Sequence, residues 1–302
     1  MPTKPPTVSH ILPALLILIA VAAPAGAEEP PERISYGAPR LLANLENQRI
    51  VESSGLARSR RTDGVFWTHN DSGHGPFIYA LNRDGEDLGT FEITGIEARD
   101  LEDIASFRMN DTPYLLLGDV GDNLARRETV SLHLIIEPAL RDDGEPTVGQ
   151  IAPERTIRFR YETNPVDCEA VAFDPEERKI YLVGKVLWHR ARVYELPLPD
   201  DDFEGVAVAK PVANVPIPLA TGMDISADNT RCVVVTYGPA FEFIRRPDET
   251  WAEAFQREPR RLMMPMRRQG EAICYGPDDR SLYLTSEGRP CPLWVVPAVD
   301  DD

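Results

Sequence analysis

Cysteine and histidine are scarce, and their placement excludes the chemistry that depends on them. The 302-residue chain has four Cys and five His. It has no CxxC pair, and Cys168, Cys232, Cys274 and Cys291 lack the close spacing of a zinc site or a disulfide framework. Three of them fall inside predicted strands, where a thiol acts as a small hydrophobe. No Gly-x-Ser-x-Gly elbow is present, which removes the usual setting of a serine nucleophile, and no loop has EF-hand spacing. Basic residues are also in deficit, with 32 Lys and Arg against 49 Asp and Glu. A formal charge of −17 argues against nucleic acid or an anionic membrane surface as a partner and is compatible with divalent cations. It also keeps a protein soluble without any partner.

Long hydrophobic runs are missing as well, save one. Ile11 to Ala23 is apolar, is broken by Pro13, and is short for a membrane span. Lys4 precedes it and the small residues Ala25, Gly26 and Ala27 follow, so residues 1–27 read as a signal peptide. A retained N-terminal anchor is the alternative. Removal of residues 1–27 takes away Lys4 and no acid, which leaves a mature chain of charge −18 over residues 28–302. The expectation is a secreted or periplasmic monomer with no membrane span after processing. About 275 residues suit one all-β domain, and no linker divides them.

A short phrase recurs five times: Glu-Ser-Ser-Gly-Leu-Ala at 52–57, Asp-Leu-Glu-Asp-Ile-Ala at 100–105, Asp-Cys-Glu-Ala-Val-Ala at 167–172, Thr-Gly-Met-Asp-Ile-Ser at 221–226 and Gln-Gly-Glu-Ala-Ile-Cys at 269–274. Aligned on their third positions, they place Ser54, Glu102, Glu169, Met223 and Glu271 in register, separated by 48, 67, 54 and 48 residues. A period near 50 residues built from strand-like pieces predicts an all-β fold, a β-propeller. Five blades are visible; a sixth would have to fit in the 67-residue gap, where 137–151 reads instead as a surface connection. The fifth repeat shows three strands, and the segment 34–45 is expected to supply its fourth and close the ring. In the fourth repeat, 250–258 reads as either part of a weak strand region or a short helix.

A four-strand meander brings the start of each first strand and the end of each second strand to one mouth of the central channel. Strand-one starts contribute Glu52, Asp100, Glu102, Asp103, Asp167, Glu169, Asp224 and Glu271. Strand-two ends contribute His69, Asn70 and Asp71, the loop 118–123 with Asp122 and Asn123, Lys185, and Glu287. So many carboxylates at one mouth require a cation, a basic partner or protonation. An oxygen-only donor set points to Ca²⁺, with Mg²⁺ second. The bland reading is that these acids and Asx turns hold strands together. Lys185 and Arg99 are possible internal counter-charges.

Glu102, Glu169 and Glu271 are the candidates for acid–base catalysis. Ser54 with His69 is the nearest approach to a nucleophile–base pair. His69, Asn70, Asp71, Lys185 and Trp188 are read as ligand-facing, although packing is the simpler expectation for Trp188. Trp67 and Trp294 fall within strands and are read as packing between blades.

The phrases at 52–57, 69–73, 100–105, 118–123 and 269–273 resemble exported bacterial β-propellers of the phytase-like or esterase-like group, over nearly the whole mature chain. The inner Glu pattern is more distantly similar to gluconolactonase-type propellers, which hold one divalent ion in the channel through Glu, Asp and Asn. That resemblance implies Glu52, Glu102, Glu169, Glu271, Asp122 and Asn123 as channel ligands, with Asp103 beside them. Met223 departs from the pattern, which argues against a symmetric site. An acid-lined mouth suits phytate only through metal. Two functions stay open: a Ca²⁺-binding propeller that takes a small molecule or an envelope protein, and a metal-dependent phosphoesterase, lactonase or glycosidase.

Overall fold

Hairpin turns punctuate the chain at short intervals, and the strands between them stack into sets of four. The computed structural model describes Met1, Pro31, residues 33–188 and residues 190–300. The signal-peptide reading of 1–27 falls, Met1 apart, outside the described residues. Among the described residues, no helix is long and apolar enough to cross a membrane.

The first set runs Ser53–Arg58, Val65–Asn70, Phe77–Asn82 and Asp87–Ile93, each antiparallel to the last. Its Asp-Gly turns place Gly64 and Gly85 in the left-handed region, at φ 75° and 80°. The second set is Leu101–Met109, Thr112–Asp119, Val130–Ile136 and Arg155–Tyr161. The third is Cys168–Asp174, Lys179–Gly184, Ala191–Pro197 and Ala207–Val215. The fourth is Ala220–Ile225, Arg231–Thr236, Ala240–Ile244 and the short Arg260–Leu262, after a one-turn helix at Trp251–Ala254. The fifth has Ala272–Tyr275, Leu282–Thr285 and Pro292–Val296, and its outer strand is Arg40–Asn44 from the N-terminal side. The ring is therefore closed by the segment expected to close it.

The innermost strands follow one another around an axis, and the fifth returns to the first. Five apolar clusters fill the seams, one between each pair of neighbours. Phe107 of the second set meets Phe173 of the third at 4.0 Å between ring centroids, and Phe66 of the first meets Tyr283 of the fifth at 4.6 Å. This is a propeller: sheets packed face to face around a ring. Trp67 is fully buried in the seam between the first and second sets, and Trp294 is half-buried beside that between the fourth and fifth. The four Cys are buried with free thiols.

The gap at 137–151 is not only a connection. Thr147–Ile151 adds in parallel to Asp87–Ile93 as a fifth strand on the first set. The second and third sets are also joined at their rims by parallel pairing of Phe159 with Ala207 through Tyr161 with Ala209.

The repeat phrase marks a β-bulge. Pairing slips by one residue between Ser53 and Gly55, Leu101 and Asp103, Cys168 and Ala170, and Ala220 and Gly222. The extra residues are Ser54, Glu102, Glu169 and Thr221. Glu271 stands just before the corresponding strand. A bulge re-aims one side chain out of the pleat, here at the same point of successive repeats. The fourth repeat is thus misaligned in sequence by two residues: Thr221, not Met223, is the counterpart of Glu102. Met-Asp-Ile looks like Glu-Asp-Ile, yet Met223 sits two places further along its strand and packs into the seam.

Candidate functional site

After each bulge the next residue points to the axis, and only something small fits there. Gly55, Ala170, Gly222 and Ala272 occupy that place in four repeats. A Cβ on Gly55 would come within 2.8 Å of the Ile104 nitrogen, and one on Gly222 within 2.5 Å of the Glu271 oxygen. The second repeat supplies Asp103, whose carboxylate fills the middle. It accepts N–H bonds from Ile104 (2.8 Å), Val171 (2.8 Å) and Met223 (3.0 Å), tying three inner strands together. Asp103 was expected to hold a metal; its oxygens are taken by the backbone, and it belongs to the frame. Asp224, two residues further along its strand than the counterpart of Asp103, likewise accepts from the Tyr275 N–H at 2.8 Å.

His69 and Asn70 are corrected in the same way. Both are buried. Asn70 Oδ1 accepts from the N–H groups of Val51 and Glu52 at 2.9 and 3.0 Å. His69 Nδ1 lies 2.9 Å from its neighbour's carbonyl, and burial pushes the ring down to about 4. Both side chains, read from the sequence as ligand-facing, lie inside the protein. Asp119 repeats the role of Asn70 in the second set, receiving the Arg99 and Asp100 N–H groups at 3.1 Å each and pairing with Arg127 at 2.8 Å.

Above this frame, the mouth divides in two. On one side, Glu169 is buried and ion-paired to Lys185, whose ammonium also lies 5.1 Å from the centre of the Tyr237 ring. Burial pushes the Glu169 carboxyl up to about 8 against the pull of Lys185. Burial alone would lower Lys185, but the Glu169 carboxylate outweighs it and holds the ammonium above its usual range. Next to this pair, the Gln269 amide donates to Glu271 at 2.8 Å and to Glu287 at 2.9 Å, leaving Glu271 Oε2 buried without a partner. Burial, then the Glu271 charge, pushes Glu287 to about 8.

On the other side, carboxylate oxygens of Asp71, Asp100 and Glu102 lie within 4.8 Å of one another. Among the described residues, no Lys or Arg stands at ion-pair distance from any of the three. Burial, followed by the charges of Glu169, Asp71, Asp100 and Asp167, pushes Glu102 up to about 11; burial, then Asp71, raises Asp100. Gly121 makes the crowding possible: a Cβ there would lie 2.1 Å from Glu102 Oε1 and 2.5 Å from Asp100 Oδ2.

The remaining predicted residues scatter. Asp122 turns back on its own loop to accept the Arg127 N–H at 2.6 Å, and Asn123 is exposed on the rim. Glu52 is half-exposed beside His74, 3.1 Å from its Nδ1. Trp188, expected to pack, is 82% exposed. Spacing places Asp71 and Asp100 at the same mouth without pairing them, because they come from different sets; Gly121 is the sequence sign of the close approach.

No family model matches the chain, and no curated protein matches it in sequence. Solved structures do match most of its length. A gluconolactonase from Xanthomonas campestris is 13% identical and covers 92% of this chain and 99% of its own, with a TM-score of 0.46. A glucose dehydrogenase is 11% identical over 87% and 100%, at 0.49. The Dos1 propeller is 10% identical over 83% and 69%, at 0.39. At such identities and TM-scores no activity passes with the likeness.

Proposed function

We propose that the mouth binds one Ca²⁺ through Asp71, Asp100 and Glu102, and that the ion presents a small molecule or an envelope protein to this face. Three carboxylates within 4.8 Å of one another, with no Lys or Arg at ion-pair distance among the described residues, carry the reading. Their chemistry fits a hard cation: the donors are oxygens, no His or Cys lies among them, and Glu102 has no counter-charge at hand. Glu271 Oε2, buried without a partner, adds an unmet acceptor to the mouth. A bound ion would supply positive charge that orients and polarises an oxygen of the ligand. Lys185 stays with Glu169, and Trp188 offers an exposed apolar plane at the rim. The composition at 1–27 supports export, so the site would meet millimolar rather than cytosolic calcium.

One observation favours a second reading, a hydrolase of phosphoesters, lactones or sugars. Buried Glu102, whose carboxyl burial and the Glu169 charge push upward, stands beside Glu169, which pairs with Lys185. A raised acid beside a second carboxyl is the pattern of acid–base catalysis.

Metal content by mass spectrometry, with thermal melts before and after EDTA, tests the first reading. Stoichiometric Ca²⁺ is expected, with EDTA removing about 2–3 kcal/mol of stability at a hundredfold excess of ion over its Kd. Glu102→Gln should abolish that difference. No metal and an unmoved melt would sink the calcium site. A substrate screen of wild type against Glu169→Gln then separates catalysis from binding.

A further inference from the structure

At the opposite end of the axis the charge reverses. A cavity of about 550 Å³ opens there, lined by Arg58, Arg60, Arg61 and Arg108 over an apolar floor that includes Phe107 and Phe173. Four guanidinium groups converge in a chain whose net charge is −17.

Carboxylates do not neutralise them all. Arg58 pairs with Asp279 at 3.3 Å and donates to the Gly276 carbonyl at 2.7 Å, yet its Nε is buried without a partner. The other three are held by neutral oxygens. Arg60 Nε donates to the carbonyl and hydroxyl of Ser106 at 3.1 Å each. Arg61 Nε donates to the Glu137 carbonyl at 3.0 Å. Arg108 donates to the carbonyls of Asp111 and Arg60 at 2.8 and 2.5 Å. Among the described residues, none of these three has a carboxylate at ion-pair distance. The nearby acids are Asp63, exposed on the rim, Asp279, bound to Arg58, Asp224, bonded to the Tyr275 N–H, and buried Glu137, whose carboxylate is taken up by Ser59, the Arg60 N–H and Trp67. Burial, then the Arg58 charge, lowers Arg60 from its usual range.

The loop that carries these side chains is fixed in advance. Buried Glu137 accepts from Ser59 Oγ, from the Arg60 N–H at 2.9 Å and from Trp67 Nε1 at 2.9 Å. Arg60 and Arg61 are therefore anchored at backbone and Nε while their terminal nitrogens remain for a ligand. Fixed forks of this kind recognise phosphate or carboxylate with little ordering cost.

We propose that this cavity is a second binding site, for a small organic anion whose phosphate or carboxylate group is held by Arg60, Arg61 and Arg108 and whose carbon skeleton lies on the floor of Phe107 and Phe173. The volume suits a ligand of metabolite size. The site is independent of the calcium reading, since the frame of Asp103 and Asp224 stands between the two ends.

Calorimetric titration of the purified protein with inorganic phosphate and with citrate, against chloride at equal ionic strength, tests it. Saturable binding tighter than about 1 mM is expected for one of the two probes. Preference for phosphate or for citrate separates the two anion classes. Arg60→Gln should weaken binding at least about tenfold, and exposed Arg61→Gln, which leaves the fold unstressed, should weaken it in the same direction. Glu102→Gln at the far mouth should leave it unchanged. Absence of saturable binding by both probes, or binding indifferent to both Arg variants, would overturn the site.

Discussion

Two sides of one mouth are built on the same backbone device and end in opposite electrostatic states. At the end of a second strand, one N–H reaches back to the carbonyl two residues before the bulged position. Asp71 does so to Glu52, Gly121 to Asp100, Lys185 to Asp167 and Glu287 to Gln269. The main chain is repeated and the side chain is not. In the third set the place carries a cation, and the neighbouring Glu169 is neutralised internally. In the second it carries no side chain, so Asp100 and Glu102 crowd into the space, and Asp71 arrives from the first set. A recurring Glu is therefore no single role. What it does depends on which side chain the neighbouring strand end delivers.

Removing the internal cation should break this contrast most severely. Lys185→Met leaves Glu169 buried with no partner, and loss of one member of a buried pair costs about 3–5 kcal/mol. Urea unfolding at pH 8 should show that loss, and a smaller one at pH 5, where the carboxyl takes up a proton. If added Ca²⁺ then restores stability to the variant, both sides of the mouth have become cation sites. A variant as stable as wild type at pH 8 would show that the pair contributes nothing.

The architecture was readable because a β-bulge and four strands repeat with one period, and repeated backbone leaves repeated sequence. Closure by 34–45 followed from counting strands in the fifth repeat. The site was less readable for the reason the comparison exposes. Spacing finds the positions that face the mouth but not the partner of each side chain. Asp103 and Glu102 are adjacent, yet one faces the axis and binds three strands while the other faces the mouth. Met223 mimicked Glu102 because residue likeness outweighed a two-residue offset that only strand pairing reveals. The arginine cavity is not legible in the sequence, because the convergence of Arg60 with Arg108 joins turns of two different sets.

Titration sharpens the contrast with a smaller effect. Glu169 and Glu287 sit near 8 in the folded protein against an ordinary value of 4.5. The fold thus keeps protons that the unfolded chain has released. Their contribution is complete below pH 4.5 and is lost as pH rises through 8; Glu102, near 11, extends the loss. His69 acts with the opposite sign, because a ring lowered from 6.5 to about 4 makes stability rise with pH up to 6.5. Between pH 6.5 and 8 the mouth is left to dominate. Metal-free protein should lose at most about 3–4 kcal/mol across that window, about 2 from each of Glu102 and Glu169, with the share of partly exposed Glu287 discounted. Calcium should flatten the profile. Stability that is level or rising in EDTA over the same window would contradict the raised carboxyls.

The gentlest test leaves every charge in place. Gly121 is not in the left-handed region, so its backbone admits alanine, and Gly→Ala by itself adds about 0.4–1 kcal/mol by restricting the unfolded chain. The new methyl would meet the Glu102 carboxyl at Oε1 and the Asp100 carboxyl at both Oδ2 and Cγ, so both side chains have to shift. The displacement of Asp100 offsets that gain, so the stability of Gly121→Ala in EDTA should lie within about 1 kcal/mol of wild type. It should bind Ca²⁺ about tenfold more weakly, a change of about 1.4 kcal/mol, because the three carboxylates no longer share one point. The Lys185 side should not respond. Equal Ca²⁺ affinity in variant and wild type would mean that the ion does not sit between Asp100 and Glu102. The contrast between the two sides would then be one of protonation alone, with Glu102 carrying its own proton where Glu169 has Lys185.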